Sequence, residues 1–493
     1  SVFSVPHPNH TANKQGYFGT CITSPYDRES NTRVWEGLPK LVIRWLMVAF
    51  SAYCIIDTVF LSTRQEVRLP MFVGLILLFG FLTFPAKKGD ERVNHMPWYD
   101  IVLLIAGPGA YFFYAVNAQN VVQMSARVMQ NDLYMIIGLI GILALVELCR
   151  RCVGLPILCV AGVLLVYTFF NLGGSADFKM TLYQVIRTMF YTFNGIFGGP
   201  ISVCAKFIVV FIIFGAFLER TGIAQFFINL ANAVAGAAPG GPAKVAVISS
   251  ALCGMVSGSS VGNTVTTGAV TIPLMKRTGY PPEFAGAVEA AASTGGQIMP
   301  PIMGAAAFLM AEMTDTEYAD ILVRAILPAA LYFTGIFLMV HFKAKSIGLK
   351  GLDKDSLPKG KDIFPKLYLL LPLIVLVFMV IQSGTFTMAY SAVVACLVAI
   401  VSGMADRETG SKKFVMMVPA IPLLVYALGK VYLPDVIPAF ADSLEMQETF
   451  TLVCFGIFFV LVVACHLISK PNMQNVGTYI NALESGTKSA LSV

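Results

Sequence analysis

From residue 40 onward the chain is a succession of apolar runs, most of them close to the ~20 residues that an α-helix needs to cross a bilayer. Within a bilayer, only helices and closed barrels satisfy their own backbone polar groups. The composition carries the same constraint. Hydrophobic residues are 56% of the 493, charged residues only 13%, and the mean hydropathy is +0.73. A soluble domain carries roughly 25% charged residues, so a water-facing surface could not be covered. The expected fold class is an all-α polytopic membrane protein with the lipid bilayer around it. Disordered, collagen-like and disulfide-scaffold classes are excluded.

Spans are expected over 40–61, 69–84, 99–116 and 133–149, a compact group behind a polar tail at 1–38. A fifth follows over 154–170. The run at 181–197 is interrupted by Asn194-Gly195, 201–218 is continuous, and 224–235 is amphipathic with Asn229 and Asn232 on its wet face. Ordinary spans resume at 318–342, 363–382, 387–403, 414–432 and 450–467. Most cysteines lie within or beside these runs, where they act as small apolar side chains. Cys149 and Cys152 have CxxC spacing without the second pair or βαβ context that a metal or redox role requires.

The net charge of +6 is spread over short loops and is no nucleic-acid signal; no nucleic-acid partner is expected. Lys87, Lys88 and Arg92, Arg150 and Arg151, Lys276 and Arg277, the lysine-rich loop 343–366, Arg407, Lys412, Lys413 and Lys470 all fall on one side under two conditions. The N-terminus must be cytoplasmic, and the chain between Lys244 and Lys276 must enter and leave on the same side. The opposite loops carry Asp315, Glu317, Asp320, Asp435, Asp442, Glu445 and Glu448. Arg64 and Arg68 break the pattern. The bookkeeping therefore predicts a re-entrant hairpin over 242–276, and such backbone is tolerated only where it is buried in protein or lines a wet cavity.

Two polar clusters sit in the stretch 240–311. The first runs from Cys253 to Gly268 and includes Ser257, Gly258, Ser259, Ser260, Gly262, Asn263, Thr264, Thr266 and Thr267. Its glycines weaken the helix and admit close backbone approach. Neutral oxygens suit a hard monovalent cation, and half-helix N-termini suit a carboxylate. The second cluster is Ser293-Thr-Gly-Gly-Gln297 with Pro300-Pro301, inside a helix expected over 282–312. A helix broken in this way exposes backbone carbonyls at midplane in transporters. Small residues in membrane helices also serve as plain packing surfaces, but packing has no use for Asn263, Gln297 and a double proline.

Gly258-Ser-Ser-Val-Gly262 matches the G-x-S-x-G nucleophile elbow, which needs a preceding strand and a histidine partner. Its flanks read as transmembrane, so an intramembrane serine hydrolase on Ser259 or Ser260 is the rival reading, and no enzyme is expected. Glu289 lies in the broken helix. It accepts a proton, pairs with Lys276 or Arg277, or sits near the cytoplasmic surface, with the last favoured. Asp57 and Glu219 lie near span ends, where they are expected to reach water.

At these clusters the sequence resembles a known family. The segments 257–263, 266–268, 272–277, 279–284 and Glu289-Ala-Ala-Ala-Ser-Thr-Gly-Gly-Gln-Ile-Met-Pro-Pro-Ile-Met-Gly304 are similar to the large membrane subunit of tripartite ATP-independent periplasmic (TRAP) transporters. The four leading spans resemble the small subunit fused in front, as in the 4TM/12TM permeases that work with TAXI-type binding proteins.

The resemblance implies a four-helix scaffold over 39–151 and a permease region over 152–493. It further implies an elevator of two inverted repeats, driven by Na⁺ and fed by a periplasmic substrate-binding protein, that imports a small organic anion across the bacterial inner membrane. No cofactor beyond the coupling ion is implied. In this reading Ser257, Gly258, Ser259, Asn263, Ser293, Thr294, Gly295, Gly296 and Gln297 form a sodium site. Ser260, Asn263, Thr266, Thr267, Pro300 and Pro301 face the substrate. Ser1 is not a start methionine and the chain stops at 490–493 as an apolar run begins, so it reads as a fragment clipped at both ends, with only the first hairpin and broken helix found. A two-hairpin anion/sodium symporter without a binding protein is the alternative.

Overall fold

The computed structural model describes residues 32–492 apart from 59–62, 88–91, 173–176, 353–356, 383, 407–411, 438–439, 441–442 and 469–472. Most of the tail at 1–38, and Lys88, Lys354, Arg407, Asp442 and Lys470 of the orientation argument, lie outside the described residues. Among the described residues there is no strand.

Four long helices come first: α1 (Gly37–Ile56), α2 (Gln65–Thr83), α3 (Trp98–Val116) and α4 (Asp132–Cys152). The Asn131 side chain accepts from Leu133 N and so starts α4, filling one of the orphan donors of the first turn. α5 (Leu155–Asn171) buries none of its residues. α6 (Phe178–Phe190) is capped by Asp177, which accepts from Met180 N. The expected run at 181–197 stops early for a visible reason. At Gly195 the chain folds back on the end of α6, where a Cβ would lie 2.4 Å from the carbonyls of Thr188 and Met189, and Ile196 N donates to Met189 O at 2.8 Å.

α7 (Gly199–Arg220) and the amphipathic α8 (Ile223–Ala235) lead into a hairpin of α9 (Gly241–Ser257) and α10 (Ser260–Arg277). α11 (Pro282–Thr294) ends in a 3-10 turn, Gly295–Ile298, and the helix resumes as α12 (Ala305–Thr314). α13 (Tyr318–Ser346) follows, about 43 Å long at 1.5 Å per residue. That exceeds the ~30 Å hydrocarbon core, so α13 runs on beyond its apolar stretch and ends in a last turn carrying Lys343 and Lys345. α14 (Phe364–Ile381), α15 (Met388–Asp406), α16 (Val415–Val436), α17 (Leu444–Ile468) and α18 (Met473–Ser492) complete the chain. Ten of these helices are long and apolar enough to cross a membrane.

Two buried features organise the first helices, one of them reaching α6. The rings of Tyr111, Tyr114, Phe190, Tyr191 and Phe197 pack edge-on or tilted across α3, α6 and the turn after it, with centroids 4.9–6.1 Å apart. Asp100, fully buried, accepts from Arg33 and, at 2.6 Å, from Arg151, which also meets Glu147 at 2.9 Å. α18 returns to α1: Ser51 Oγ donates to Leu483 O at 2.8 Å, and Thr487 Oγ1 to Met47 O at 2.7 Å.

Asp57 does not reach water as expected. It is buried, accepts from Thr63, and lies 3.8 Å from Arg68. Arg68, one of the two charges that broke the loop pattern, thus sits beside a carboxylate.

Candidate functional site

The hairpin turns at Gly258, where φ is +59° and a Cβ would lie 2.1 Å from Met303 O. Both facts demand glycine. Ser259 then caps α10, its Oγ accepting from Gly262 N at 3.2 Å. The arms run back along one another: Asn263 Nδ2 donates to Ser250 O at 2.8 Å, and Ser250 Oγ lies 3.2 Å from Thr267 Oγ1.

The broken helix packs on this hairpin backbone to backbone. A Cβ on Gly254 would be 2.4 Å from Gly296 Cα. Gln297 Nε2 donates to Ser260 Oγ at 3.1 Å, tying the break to the start of α10. Gly304 N closes the break by donating to Gln297 O at 2.8 Å, and Tyr318 OH donates to the carbonyls of Pro301 and Ile302 at 2.9 and 2.7 Å. The two sequence clusters, about 30 residues apart, therefore form one structure.

A cleft of about 1060 Å³ opens onto the hairpin tip. Ser257, Gly258, Ser259, Gly262 and Thr266 line it, with Glu219 and with Arg44 and Lys488 on other elements. Thr266 Oγ1 donates to Gly262 O at 2.9 Å. Asn263 is 1% exposed, and its Oδ1 has no hydrogen-bond donor. Ser250 O must face its amide nitrogen, so the orphan is the carbonyl oxygen.

Several expected roles are corrected. Thr267 does not face the cleft; it is fully buried and donates to Glu289. Pro301 is buried under Tyr318, and neither Pro300 nor Pro301 lines the cleft. The Thr294 hydroxyl is turned to Ala290 O of its own helix at 2.7 Å. Gly295 is buried against the Tyr332 and Phe333 rings. Glu289 neither reaches the surface nor pairs with Lys276 or Arg277. It is fully buried, and Ser250 Oγ and Ser293 Oγ donate to its Oε1 at 2.9 and 3.0 Å. Thr267 donates to the same oxygen and Thr271 to Oε2. Ser250 and Thr271 were not expected in a polar centre. For Thr271 the signal is helical spacing: Thr267–Thr271 and Glu289–Ser293 are i,i+4 pairs, so each pair shares a helix face; Ser250, on the other arm, carries no such signal.

Residues 140–469 match the model of the family described as the tripartite ATP-independent periplasmic transporter, DctM component. The chain belongs to this family. It is 30% identical over 187 residues to the C4-dicarboxylate TRAP transporter large permease protein of Pseudomonas aeruginosa, 38% of this chain and 43% of that one. It is 25% identical over 199 residues to the sialic acid TRAP transporter large permease protein of Vibrio cholerae, 40% of this chain and 46% of that one. The isethionate TRAP transporter permease protein of Oleidesulfovibrio alaskensis is 30% identical over 152 residues, 29% of this chain and 22% of that one. The chain thus spans less than half the length of these relatives. Membership of the TRAP family, with ten apolar helices, makes this a multi-pass inner-membrane protein. The family is one of transporter permeases, not enzymes. The elbow match falls with the enzyme reading: Gly258 follows a helix, not a strand, and Ser260 meets Gln297 rather than a histidine.

Proposed function

We propose that this TRAP permease works as a secondary transporter that imports a small organic anion with Na⁺, supplied by a periplasmic substrate-binding protein of the TAXI type. One observation carries the sodium part: the buried, donorless Oδ1 of Asn263 beside two breaks in helical backbone. A buried carbonyl oxygen without a partner costs on the order of 1–3 kcal/mol, and a cation removes that cost. Ser257, Thr266 and the carboxylate of Glu219 line a small pocket with Asn263. Amide and hydroxyl oxygens with a single carboxylate suit a monovalent ion better than a divalent one, which recruits several carboxylates. Asn263 and its neighbours there would hold the ion, which brings the positive charge that an anionic substrate needs nearby.

For the substrate, the N-terminus of α10 at the cleft presents backbone N–H groups and the positive end of a helix dipole, which favour a carboxylate. Thr266, which lines the cleft, would orient it; Ser260 does not line the cleft and is bonded to Gln297 instead. Two of the relatives are named for carboxylates, C4-dicarboxylates and sialic acid, and one for the sulfonate isethionate, which supports a small organic anion. The hairpin and broken helix would move as one body in an elevator, with the four leading helices as static scaffold.

The test is uptake by the full-length protein in proteoliposomes with its binding protein. Uptake should require an inward Na⁺ gradient. Equal uptake in sodium-free buffer under a proton gradient alone would overturn the reading.

A further inference from the structure

Glu289 presents a problem in electrostatics. A buried carboxylate is costly unless it is paired and hydrogen-bonded. Glu289 is 0% exposed and has its hydrogen bonds, but among the described residues no lysine, arginine or histidine pairs with it. All four contacts are hydroxyls, which can donate to both oxygens of an ionised acid. They come from three helices: Ser250 on α9, Thr267 and Thr271 on α10, Ser293 on α11. The basic residues that end α10, Lys276 and Arg277, are exposed.

The missing positive charge has an obvious place. Ser250 joins Glu289 to the Asn263 side chain: its Oγ donates to Glu289 Oε1 at 2.9 Å, and its backbone O accepts from Asn263 Nδ2 at 2.8 Å. Asn263 carries the unpartnered oxygen, and Ser293, another donor to Glu289, is one residue from the helix break. The carboxylate without a cation and the amide whose oxygen lacks a donor are therefore held by one residue, Ser250. A cation at Asn263 answers both deficits at once.

We propose that Glu289 is the fixed, buried counter-charge of the coupling cation, a positioning residue behind Asn263 that acts together with Glu219 of the same pocket and does not itself touch the ion. The inference rests on the sodium reading of Asn263 and goes beyond it by naming what sets the ion's affinity. With the site filled, the buried centre is neutral. With it empty, one negative charge stands alone inside the hairpin. Ser250, Thr267 and Thr271 relay the charge to both arms, so the same carboxylate holds the hairpin to α11 in the geometry the ion needs.

The experiment is a Na⁺ titration of the melting temperature of the purified full-length protein, with choline replacing Na⁺ at constant ionic strength. Wild type should gain stability with Na⁺ and saturate. Glu289→Gln keeps the volume and removes the charge. Its half-saturating Na⁺ concentration should rise roughly ten- to hundredfold, as expected for a unit charge lost a short distance away. In sodium-free buffer Glu289→Gln should be at least as stable as wild type, because the lone charge is gone. A merely structural role predicts the reverse, equal destabilisation with and without Na⁺, and that result would overturn the proposal. So would a Glu289→Gln protein with the wild-type midpoint.

Glu289→Asp, which keeps the charge, should stay within about threefold of the wild-type midpoint. If Glu289→Gln fails to fold, this variant decides, and a tenfold shift in it would count against charge as the cause. A wild-type protein whose melting temperature ignores Na⁺ would bring down the sodium reading itself, and this inference with it. A response in wild type that is unchanged in Glu289→Gln would leave the sodium reading standing and bring down only the counter-charge.

Discussion

Gly254 of the first hairpin arm and Gly296 of the helix break stand back to back, so close that a Cβ on Gly254 would lie 2.4 Å from Gly296 Cα, and one on Gly296 2.8 Å from Gly254 Cα. No side chain separates the two backbones. Gly254→Ala or Gly296→Ala should cost on the order of 1–3 kcal/mol by overpacking and should abolish the Na⁺-dependent gain in melting temperature. Gly286→Ala, where a Cβ meets nothing within 4 Å, is the neutral control.

The hairpin tip tolerates only glycine at 258. Gly258→Ala forces an L-residue into φ +59° and drives its methyl toward Met303 O. The conformational part alone costs roughly 1–2 kcal/mol. Uptake by the full-length protein should fall at least about tenfold, as expected when 1.4 kcal/mol or more of site geometry is lost. Normal uptake would show that the tip can rebuild without glycine.

Asn263 has two jobs, donating to Ser250 O and presenting Oδ1. Asn263→Ala removes both. The full-length variant should reach the inner membrane and lose its Na⁺ response, with the half-saturating concentration raised beyond the measurable range. A wild-type Na⁺ titration in this variant would place the ion elsewhere.

Asp100 holds Arg33 and Arg151 in a buried triad. Asp100→Asn takes the carboxylate from Arg33 and leaves Arg151 with Glu147 alone, and breaking a buried pair in this way costs about 3–5 kcal/mol. Thermal unfolding should begin several degrees earlier, while the Na⁺ midpoint of the protein still folded should be unchanged, because the ion pairs of Asp100 and Arg151 involve no residue of α9, α10 or α11.

Orientation can be read at the end of α13. Ser346 is exposed and lies among the lysines of the 343–366 loop, whose charge opposes translocation. In a cysteine-free background, Ser346→Cys should react only with reagents that reach the cytoplasm. Labelling from the periplasm would reverse the assignment and remove the orientation argument for the hairpin.

Much of the helical layout is legible in the sequence because hydrophobic length is a local property. Expected spans such as 99–116 and 318–342 meet the helices Trp98–Val116 and Tyr318–Ser346 within a few residues at most ends. The hairpin was legible for a different reason: Lys244 and Lys276 could share a side only if the chain turned back between them. Asn194-Gly195 marked a break, but its effect was underestimated, since a fold-back onto α6 depends on carbonyls that only the finished helix presents.

The site divides along the same line. Residue chemistry alone picked out Ser257–Asn263 and Ser293–Gln297, because oxygen-bearing side chains, glycines and prolines are out of place in apolar helices. Sequence could not say which of these oxygens are already bonded. Thr266 and Thr267 are neighbours of one chemistry, yet a step of about 100° round the helix leaves the first at the cleft and turns the second into the protein. Nor could it say that Glu289 is buried, since a lone acid in a helix of alanines is equally at home at a surface. The sequence determined a bundle of membrane helices with a polar break in it. The packing of α9, α10 and α11 decided which acceptor is left without a donor and which carboxylate without a cation, because hydrogen bonds and desolvation belong to groups that meet only in three dimensions.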